Sequence, residues 1–363
     1  MKQLNTIKLL VCLCLFVGFN TNAQINAPNA SQKATVSQRV GISDITIKYS
    51  RPSVRGRTIW GNLVPYGMNN LGFGTATAAP WRAGADENTT ITLSHDAKVE
   101  GKPIKAGTYG LHMEVKPDNK ATLILSHEKD AWGSFFYDPS KDALRVDITT
   151  VSVPHHELLT YAFNEVSANS ATAMLAWETK GFPFSITFDV TTIVLDDFRD
   201  KAKGRTGFIR QNWEQAAAYA LNNGGDLNEA LTWIDNAISG QFYSQKNFNN
   251  LAVKAQILNQ LGDKEAYASI MDEASGMANA NQLNALGYLM LGAKDYDKAL
   301  TYFKKAVKLD PDNPNVYDSL GEAYKTMGKN KEAIKYFKKS LSMNPPANVK
   351  ANSEKHLKEL GAL

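Results

Sequence analysis

The spacing of hydrophobic and polar positions changes once along the chain. Through residues 34–190 apolar and polar side chains alternate, as in the segment 45–49, where Ile45, Ile47 and Tyr49 are separated by polar residues. A period of two predicts half-buried β-strands. Farther along, apolar side chains recur every three to four residues, which predicts amphipathic helices. The sequence therefore predicts a β domain followed by an α-helical domain.

Further segments of the first domain show the same alternation. They are 90–94, 110–115, 121–127, 144–153, 158–166, 171–178 and 184–190. Turn-forming residues stand between them, such as those at 116–120 and Thr179-Lys180-Gly181. Many short strands separated by frequent turns predict an antiparallel β-sandwich or a β-barrel, and the pattern does not choose between the two.

One hairpin can be placed in register. If residues 116–120 form its turn, Val115 lies opposite Ala121, and His112 and His127 then lie on opposite faces of the sheet. Those two histidines cannot bind one metal ion in that register. No other spacing of histidines indicates a metal site, and we expect the β domain to fold without metal.

The helical part repeats itself with a period of 34 residues between positions 280 and 345. Leu286-Gly287 recurs as Leu320-Gly321, Ala299 as Ala333, Phe303 as Phe337, and Pro311 as Pro345. This pattern resembles the tetratricopeptide repeat, a helix-turn-helix unit that stacks into an α-solenoid. Its glycine and alanine are expected where the two helices of a repeat touch. The resemblance implies that this region binds partners and does no chemistry of its own.

Two weaker repeats precede the clear pair. The mid-repeat alanines that define the four repeats are Ala230, Ala266, Ala299 and Ala333. We predict helical repeats over 208–346, a capping helix over 347–363 and a linker over 191–207 that separates them from the β domain.

The first 23 residues predict export. Lys2 and Lys8 precede an apolar run over 9–19, and Ala23 offers a small residue for cleavage. The run is about half of the roughly 20 residues that a membrane-spanning helix needs, so it is typical of a signal peptide. The mature protein would begin with a flexible segment over 24–33 and would be periplasmic or secreted.

Cysteine content and charge exclude several classes of protein. The chain contains two cysteines, Cys12 and Cys14, and both lie within the predicted signal peptide. The mature chain would therefore form no disulfide, and the large residues before each cysteine argue against a lipid anchor. Loss of Lys2 and Lys8 lowers the formal net charge from +4 to +2 (4 − 2), which is too small to indicate nucleic-acid binding. No segment of the mature chain is predicted to span a membrane.

An aromatic, glycine-rich segment over 60–86 interrupts the strands. Loops of this length are usually functional, and this one is too aromatic for a disordered segment. Around it the chain resembles a domain-of-unknown-function family found in exported bacterial proteins, over most of residues 30–190. The motifs that carry the resemblance are Tyr49-Ser50-Arg51-Pro52, Gly56-Arg57, Gly61, Pro65-Tyr66-Gly67, Trp81-Arg82-Ala83-Gly84 and Gly107-Thr108-Tyr109. The family implies no agreed activity.

Arginines and aromatic residues concentrate in and beside this loop. The candidate ligand-binding residues are Arg51, Arg57, Trp60, Tyr66, Trp81 and Arg82. Such side chains stack on a ring and bind anions or hydroxyl groups. The alternative, which we favour, is that they fix the loop to the β domain. The sequence contains no catalytic motif and indicates no cofactor.

The first helix of each repeat lines the concave face of the solenoid. The repeat pattern places there Asn212, Tyr219, Asn249, Gln256, Asn284, Tyr288, Asn315 and Glu322. This face is rich in amides and nearly neutral, whereas lysines lie on the outer face. Side-chain amides both donate and accept hydrogen bonds, which suits the backbone of an extended peptide.

Two hypotheses for function follow. The first is an exported protein-interaction scaffold of the cell envelope, whose repeats bind a protein or an extended peptide and whose β domain contacts an envelope component such as a glycan. The alternative is a carbohydrate-binding module or hydrolytic enzyme with its site near the 60–84 loop. They differ in whether Arg51, Arg57, Trp81 and Arg82 converge on an open cavity.

Overall fold

The computed structural model describes residues 28–363. They form two compact units, of which the first ends at Val190 and the second begins at Thr191. The signal-peptide prediction lies outside the described residues. Within the described range, no helix has the length and apolar character required to cross a membrane.

The first unit consists of two antiparallel sheets. Its strands are β1 (Gln32–Val40), β2 (Ser43–Arg51), β3 (Thr90–Leu93), β4 (Ala97–Val99), β5 (Lys102–Ile104), β6 (Gly107–Val115), β7 (Lys120–Ser126), β8 (Asp142–Thr149), β9 (Val151–Val166) and β10 (Ser170–Thr187). The strand orders are β1-β2-β3-β6-β7-β8 and β5-β4-β10-β9. The prediction of an antiparallel β domain is confirmed, and two separate sheets correspond to its sandwich alternative.

Alternation along the strands builds the core of this unit. In β2 the side chains of Ile45, Ile47 and Tyr49 are buried, whereas Lys48 between them is exposed. In β10 the largest side chains, including Trp177, are buried as well. Burial of one face of each strand fixes its register, because a slip by one residue would expose that face.

The predicted hairpin register is confirmed. Val115 pairs with Ala121 across β6 and β7. His112 is only 2% exposed, whereas His127 is exposed with its ring 5.4 Å from that of Tyr109. The two histidines therefore lie on opposite faces of the sheet.

The turn predicted at Thr179-Lys180-Gly181 is wrong. β10 runs through these residues and stays paired with β9, with register shifts on both sides of Glu178. Bulges accommodate the extra residues, and Glu178 has a φ of 54° there. Gly181 is needed for a close approach, since a Cβ on it would lie 2.8 Å from Val153.

Ten helices follow in the described chain. They are α1 (Val190–Ala202), α2 (Arg210–Asn223), α3 (Leu227–Ile238), α4 (Phe248–Leu261), α5 (Lys264–Met277), α6 (Ala280–Gly292), α7 (Tyr296–Leu309), α8 (Pro314–Thr326), α9 (Asn330–Leu341) and α10 (Ala347–Glu359). Each of the pairs α2–α3, α4–α5, α6–α7 and α8–α9 forms one repeat, and α10 follows the last. The predicted helical-repeat architecture is confirmed.

The segment predicted as a linker contains α1 and a short 3₁₀ helix. Leu195 of α1 is buried in the core of the first repeat. Phe198 lies edge-on to Trp213 and Trp233, with ring centroids 5.2 and 5.1 Å away. This packing makes α1 part of the helical unit, because its apolar face would otherwise be exposed.

Glycine permits close helix packing in the third and fourth repeats. A Cβ on Gly287 would lie 2.7 Å from the Phe303 ring, and one on Gly321 would lie 2.8 Å from the Phe337 ring. Both phenylalanines are completely buried. The glycine of the first helix thus makes room for the aromatic ring of the second.

The second repeat departs from the expected alanine position. The other alanines are buried four residues after the N-caps of their helices: Ala230, Ala299 and Ala333. Ala266 is half-buried and lies three residues after the N-cap Asp263. The turn at 262–263 is one residue shorter than the turn at 293–295, so Tyr267 takes the equivalent position.

Candidate functional site

A cavity of about 380 Å³ opens beside the 60–86 loop of the β unit. Three candidate residues line it, namely Arg57, Trp81 and Arg82. Its other charged and indole side chains are Arg55, Asp86 and Trp177. The structure therefore brings half of the predicted ligand-binding residues together on one concave surface.

Tryptophan rings form the wall of this cavity. The rings of Trp81 and Trp177 are stacked, 6.0 Å apart at an angle of 15°. Trp60 packs edge-on against both rings and donates from Nε1 to Glu178 Oε2 at 3.2 Å. Trp60 supports the wall from behind and does not line the cavity.

Arg82 is held in place at the cavity. One of its terminal nitrogens donates to the carbonyl oxygen of Asp86 at 2.7 Å, and its guanidinium lies 5.4 Å from the centre of the Phe135 ring. Gly133 leaves room for it, because a Cβ there would lie 2.6 Å from the guanidinium carbon. Burial lowers the pKa of Arg82, but an arginine stays charged at neutral pH.

Arg51 and Tyr66 lie elsewhere. Arg51 connects the end of β2 to β9, donating to the Leu159 carbonyl at 2.9 Å and to Thr160 Oγ1 at 2.7 Å. Tyr66 packs against Gly61, where a Cβ would lie 2.8 Å from its ring. Arg51 thus joins two strands, and Tyr66, which is 38% exposed, packs within the loop.

The candidate ligand-binding residues do not include three residues that line the cavity. One of them, Arg55, belongs to the same cluster of arginines in the sequence as Arg51 and Arg57. Asp86 and Trp177 carry no such signal. Trp177 belongs to β10, which is far from the loop in the sequence. Only the pairing of β10 within the second sheet brings Trp177 to the cavity.

A buried hydrogen bond joins His112 to Ser134, which borders a second cavity together with Trp81 and Arg82. His112 Nδ1 lies 3.0 Å from Ser134 Oγ, and both residues are at most 2% exposed. A small cavity of about 110 Å³ borders Ser134. Desolvation, with a smaller contribution from the charge of Arg82, lowers the pKa of His112 to about 4. His112 is therefore neutral at physiological pH.

Within residues 28–363, no cluster of three or more histidine, cysteine, aspartate or glutamate side chains is arranged to hold a metal ion.

Two predicted groove residues of the last repeats, Tyr288 and Glu322, are bonded within the chain, whereas the half-buried Asn315 has no side-chain hydrogen bond among the described residues. Tyr288 donates to Glu322 at 2.6 Å, and Glu322 lies 3.1 Å from His356 Nε2 of α10. Each partner is 34 residues from the next, so these contacts join equivalent positions of successive repeats. α10 therefore occupies the place of the first helix of a further repeat.

Further hydrogen bonds join α10 to α8 of the fourth repeat. Asn352 of α10 donates to Asp318 at 2.8 Å and to Glu322 at 2.7 Å. Ser353 also donates to Asp318, and desolvation raises the pKa of that carboxyl group. These acidic groove residues are thus satisfied by the capping helix.

The groove candidates nearer the β unit differ from one another. Asn212 donates to the Thr206 carbonyl at 2.9 Å, and Tyr219 packs on the core of the first repeat. Asn249 and Gln256 are exposed, with no side-chain hydrogen bond among the described residues. Asn284 keeps a buried Oδ1 for which the described residues supply no donor. Two exposed amides, Asn249 and Gln256, are therefore open to a ligand, and Asn284 carries a buried acceptor without a donor among the described residues.

A cavity of about 350 Å³ lies across the first turns of α2, α4 and α6. Its lining residues are Arg210, Glu214, Asn247, Phe248, Asn249, Met277 and Gln282. Arg210 and Glu214 pair at 2.8 Å, so the lining carries no formal net charge. The surface offers amides and one aromatic ring.

Comparison with known proteins assigns both units. A family described as "Protein of unknown function (DUF2911)" matches residues 31–186. Two tetratricopeptide-repeat families match residues 293–328 and 314–346. The first unit is a DUF2911 domain, and tetratricopeptide repeats follow it. Both resemblances noted in the sequence are confirmed.

The repeats are also similar to individual proteins. Superkiller protein 3 of Schizosaccharomyces pombe is 36% identical over 61 residues, which are 17% of this chain and 4% of the length of that relative. A structure of MamA from Desulfovibrio magneticus RS-1 is 19% identical with a TM-score of 0.31, covering 43% of this chain and 86% of its own. YrrB, described as a tetratricopeptide-repeat protein with an unusual peptide-binding site, is 13% identical with a TM-score of 0.32, covering 46% of this chain and 84% of its own.

The DUF2911 domain and the repeats thus present separate surfaces. The domain carries a cavity with charged and indole side chains, and the repeats carry an uncharged surface over their first helices. Of the predicted residues, Arg57, Trp81 and Arg82 line the first surface and Asn249 lines the second. The amides of Gln256 and Asn315 and the Oδ1 of Asn284 have no hydrogen-bond partner among the described residues.

Proposed function

We propose that this protein is an exported protein-interaction scaffold of the cell envelope, whose repeats bind an extended, uncharged peptide along α2, α4 and α6. Tetratricopeptide repeats support the role of a protein-interaction scaffold. The observation that carries the proposal is the contrast between the two ends of the repeats. Tyr288 and Glu322 bond toward α10, and Asn315 is the exception at that end. Among the described residues, the amides of Asn249 and Gln256 and the Oδ1 of Asn284 have no hydrogen-bond partner.

The chemistry of these amides defines the ligand. Each offers one acceptor and one donor group, which matches the carbonyl and N–H of an extended backbone. Because the neighbouring cavity pairs Arg210 with Glu214, it attracts neither sign of charge. Each neutral hydrogen bond contributes about 0.5–1.5 kcal/mol net, so one substitution weakens binding modestly and three weaken it severely.

The test selects peptides from a random 12-residue library against the full chain and measures their affinity by fluorescence anisotropy. Replacing Asn249, Gln256 and Asn284 together with alanine is expected to weaken binding at least tenfold, by about 1.5–4.5 kcal/mol. The wild-type affinity is expected to change little between low and high salt, because no net charge is available for ions to screen.

A matched triple variant on the outer face provides the control. Lys304, Lys308 and Lys338 are exposed, and their replacement with alanine is expected to leave affinity unchanged. Equal affinity of the amide variant and the wild type would contradict the proposal. So would selected peptides that are mostly acidic and lose their affinity in salt, since those would bind the lysines.

Export forms part of the proposal and rests on the sequence of residues 1–23. We expect intact-mass spectrometry of the protein from its native source to find a chain that begins at Gln24, without lipid. A native protein that retains Met1, or that carries a lipid on Cys12 or Cys14, would contradict export by signal-peptide cleavage.

A further inference from the structure

The cavity of the DUF2911 domain carries an excess of positive charge. Arg55, Arg57 and Arg82 line it with a single acidic residue, Asp86, which gives a formal charge of +2 (3 − 1). Within residues 28–363 the guanidinium of Arg55 makes no hydrogen bond or ion pair. Arg55 is exposed, so its guanidinium is open to an anion in the cavity.

Two of the arginines are preorganised. Arg57 donates from Nε to the Val54 carbonyl at 3.1 Å and from a terminal nitrogen to the Ser53 carbonyl. Arg82 is held by the Asp86 carbonyl and the Phe135 ring. Side chains that are already fixed lose little conformational entropy when a ligand binds, so their charge is available at low cost.

Two buried polar atoms of cavity residues have no partner among the described residues. They are Trp177 Nε1, a donor, and Asp86 Oδ2, an acceptor. A buried polar atom without a partner costs free energy, and native structures contain few of them. A hydroxyl group could satisfy either atom, because it both donates and accepts. Asp86 selects a hydroxyl over a second anionic group, since like charges repel.

The cavity also contains apolar indole rings. The half-buried Trp81 can contact a ligand ring, whereas Trp177, stacked on it, is only 1% exposed. The volume of about 380 Å³ lies within the range of small-molecule sites. We propose that this cavity binds an acidic sugar, with its carboxylate at the arginines, hydroxyls at Trp177 Nε1 and Asp86, and its ring against Trp81. This ligand site is independent of the peptide-binding role proposed for the repeats.

The experiment titrates the full chain by isothermal titration calorimetry at low salt. The probes are glucuronate, galacturonate and N-acetylneuraminate. Glucose serves as the uncharged ring, and acetate serves as the carboxylate without a ring. At least one acidic sugar is expected to bind tenfold more tightly than both glucose and acetate.

Arg55→Asn is the diagnostic variant. Arg55 has a φ of 50°, a conformation that asparagine tolerates, and its side chain makes no bond that the fold would lose. We expect the affinity for the acidic sugar to fall at least fivefold while the melting temperature stays unchanged. Arg39→Gln is the control, because Arg39 is exposed on β1 and pairs with Asp44 at 2.9 Å. Its affinity is expected to equal that of the wild type.

Several results would overturn the assignment. Absence of binding by all three acidic sugars at millimolar concentration would remove the site. Equal binding of acetate would reduce it to a bare anion site, and equal binding of glucose would exclude a role for the arginines. Unchanged affinity in Arg55→Asn would move the binding away from this cavity. None of these outcomes bears on peptide binding by the repeats.

Discussion

Replacing Phe337 with alanine is expected to lower the free energy of unfolding of the repeats by about 3–5 kcal/mol. Phe337 is completely buried between the two helices of the fourth repeat, against Gly321. Its ring also stacks on His356 of α10 at 5.1 Å. The substitution removes the contact within the repeat and the contact to the capping helix. Urea unfolding followed by circular dichroism at 222 nm measures the loss.

The neighbouring residue and the facing glycine supply controls. Lys338→Ala changes an exposed side chain and is expected to alter stability by less than about 0.5 kcal/mol. Gly321→Ala alone is expected to cost about 1–3 kcal/mol, because its Cβ would meet the Phe337 ring at 2.8 Å. In the Phe337→Ala background the same methyl group should cost much less. Additive effects would show that the two residues do not share one packing site.

Lowering the pH from 7 to 4 is expected to destabilise the DUF2911 domain by about 3 kcal/mol through His112. Burial lowers its pKa from 6.5 to about 4 in the folded state. Between these values the unfolded chain binds a proton that the folded domain does not. The stabilising contribution is therefore complete above pH 6.5 and is lost as the pH falls toward 4.

Guanidinium unfolding monitored by tryptophan fluorescence at several pH values measures this effect. His112→Gln keeps a hydrogen-bonding partner for Ser134 but does not titrate, so its stability should decline less over the same range. His127 is exposed just after β7, and the stability of a His127→Gln variant should decline like that of the wild type. A His112→Gln variant with the full pH dependence of the wild type would exclude His112 as its cause.

Local patterns predicted the elements whose geometry is local. The turn at 116–120 set the pairing of Val115 with Ala121. The period of 34 residues placed Gly321 where the helices of its repeat touch, and the structure shows that the Phe337 ring is its neighbour there. In each case the residues that decide the structure stand within one hairpin or one repeat. The fold class therefore followed from alternation and repetition alone.

Positions that depend on long-range packing were not predictable. The bulge at Glu178 looks like a turn in the sequence, because both use polar residues and glycine, and only pairing with β9 distinguishes them. Arg51 bonds to Leu159 and Thr160 in the middle of β9, a strand that lies far from it in the sequence. Trp177 reaches the cavity through the order of the second sheet. A residue list from one loop could not contain it.

The most direct test of the peptide-binding role is hydrogen exchange of the full chain with and without a selected peptide. Backbone amides in the first turn of a helix have no partner within the helix, so their exchange responds to a bound ligand. We predict slower exchange in the first turns of α2, α4 and α6 and no change in α7 and α9. Protection confined to α7 and α9, or to the DUF2911 domain, would contradict the binding of peptide by this surface.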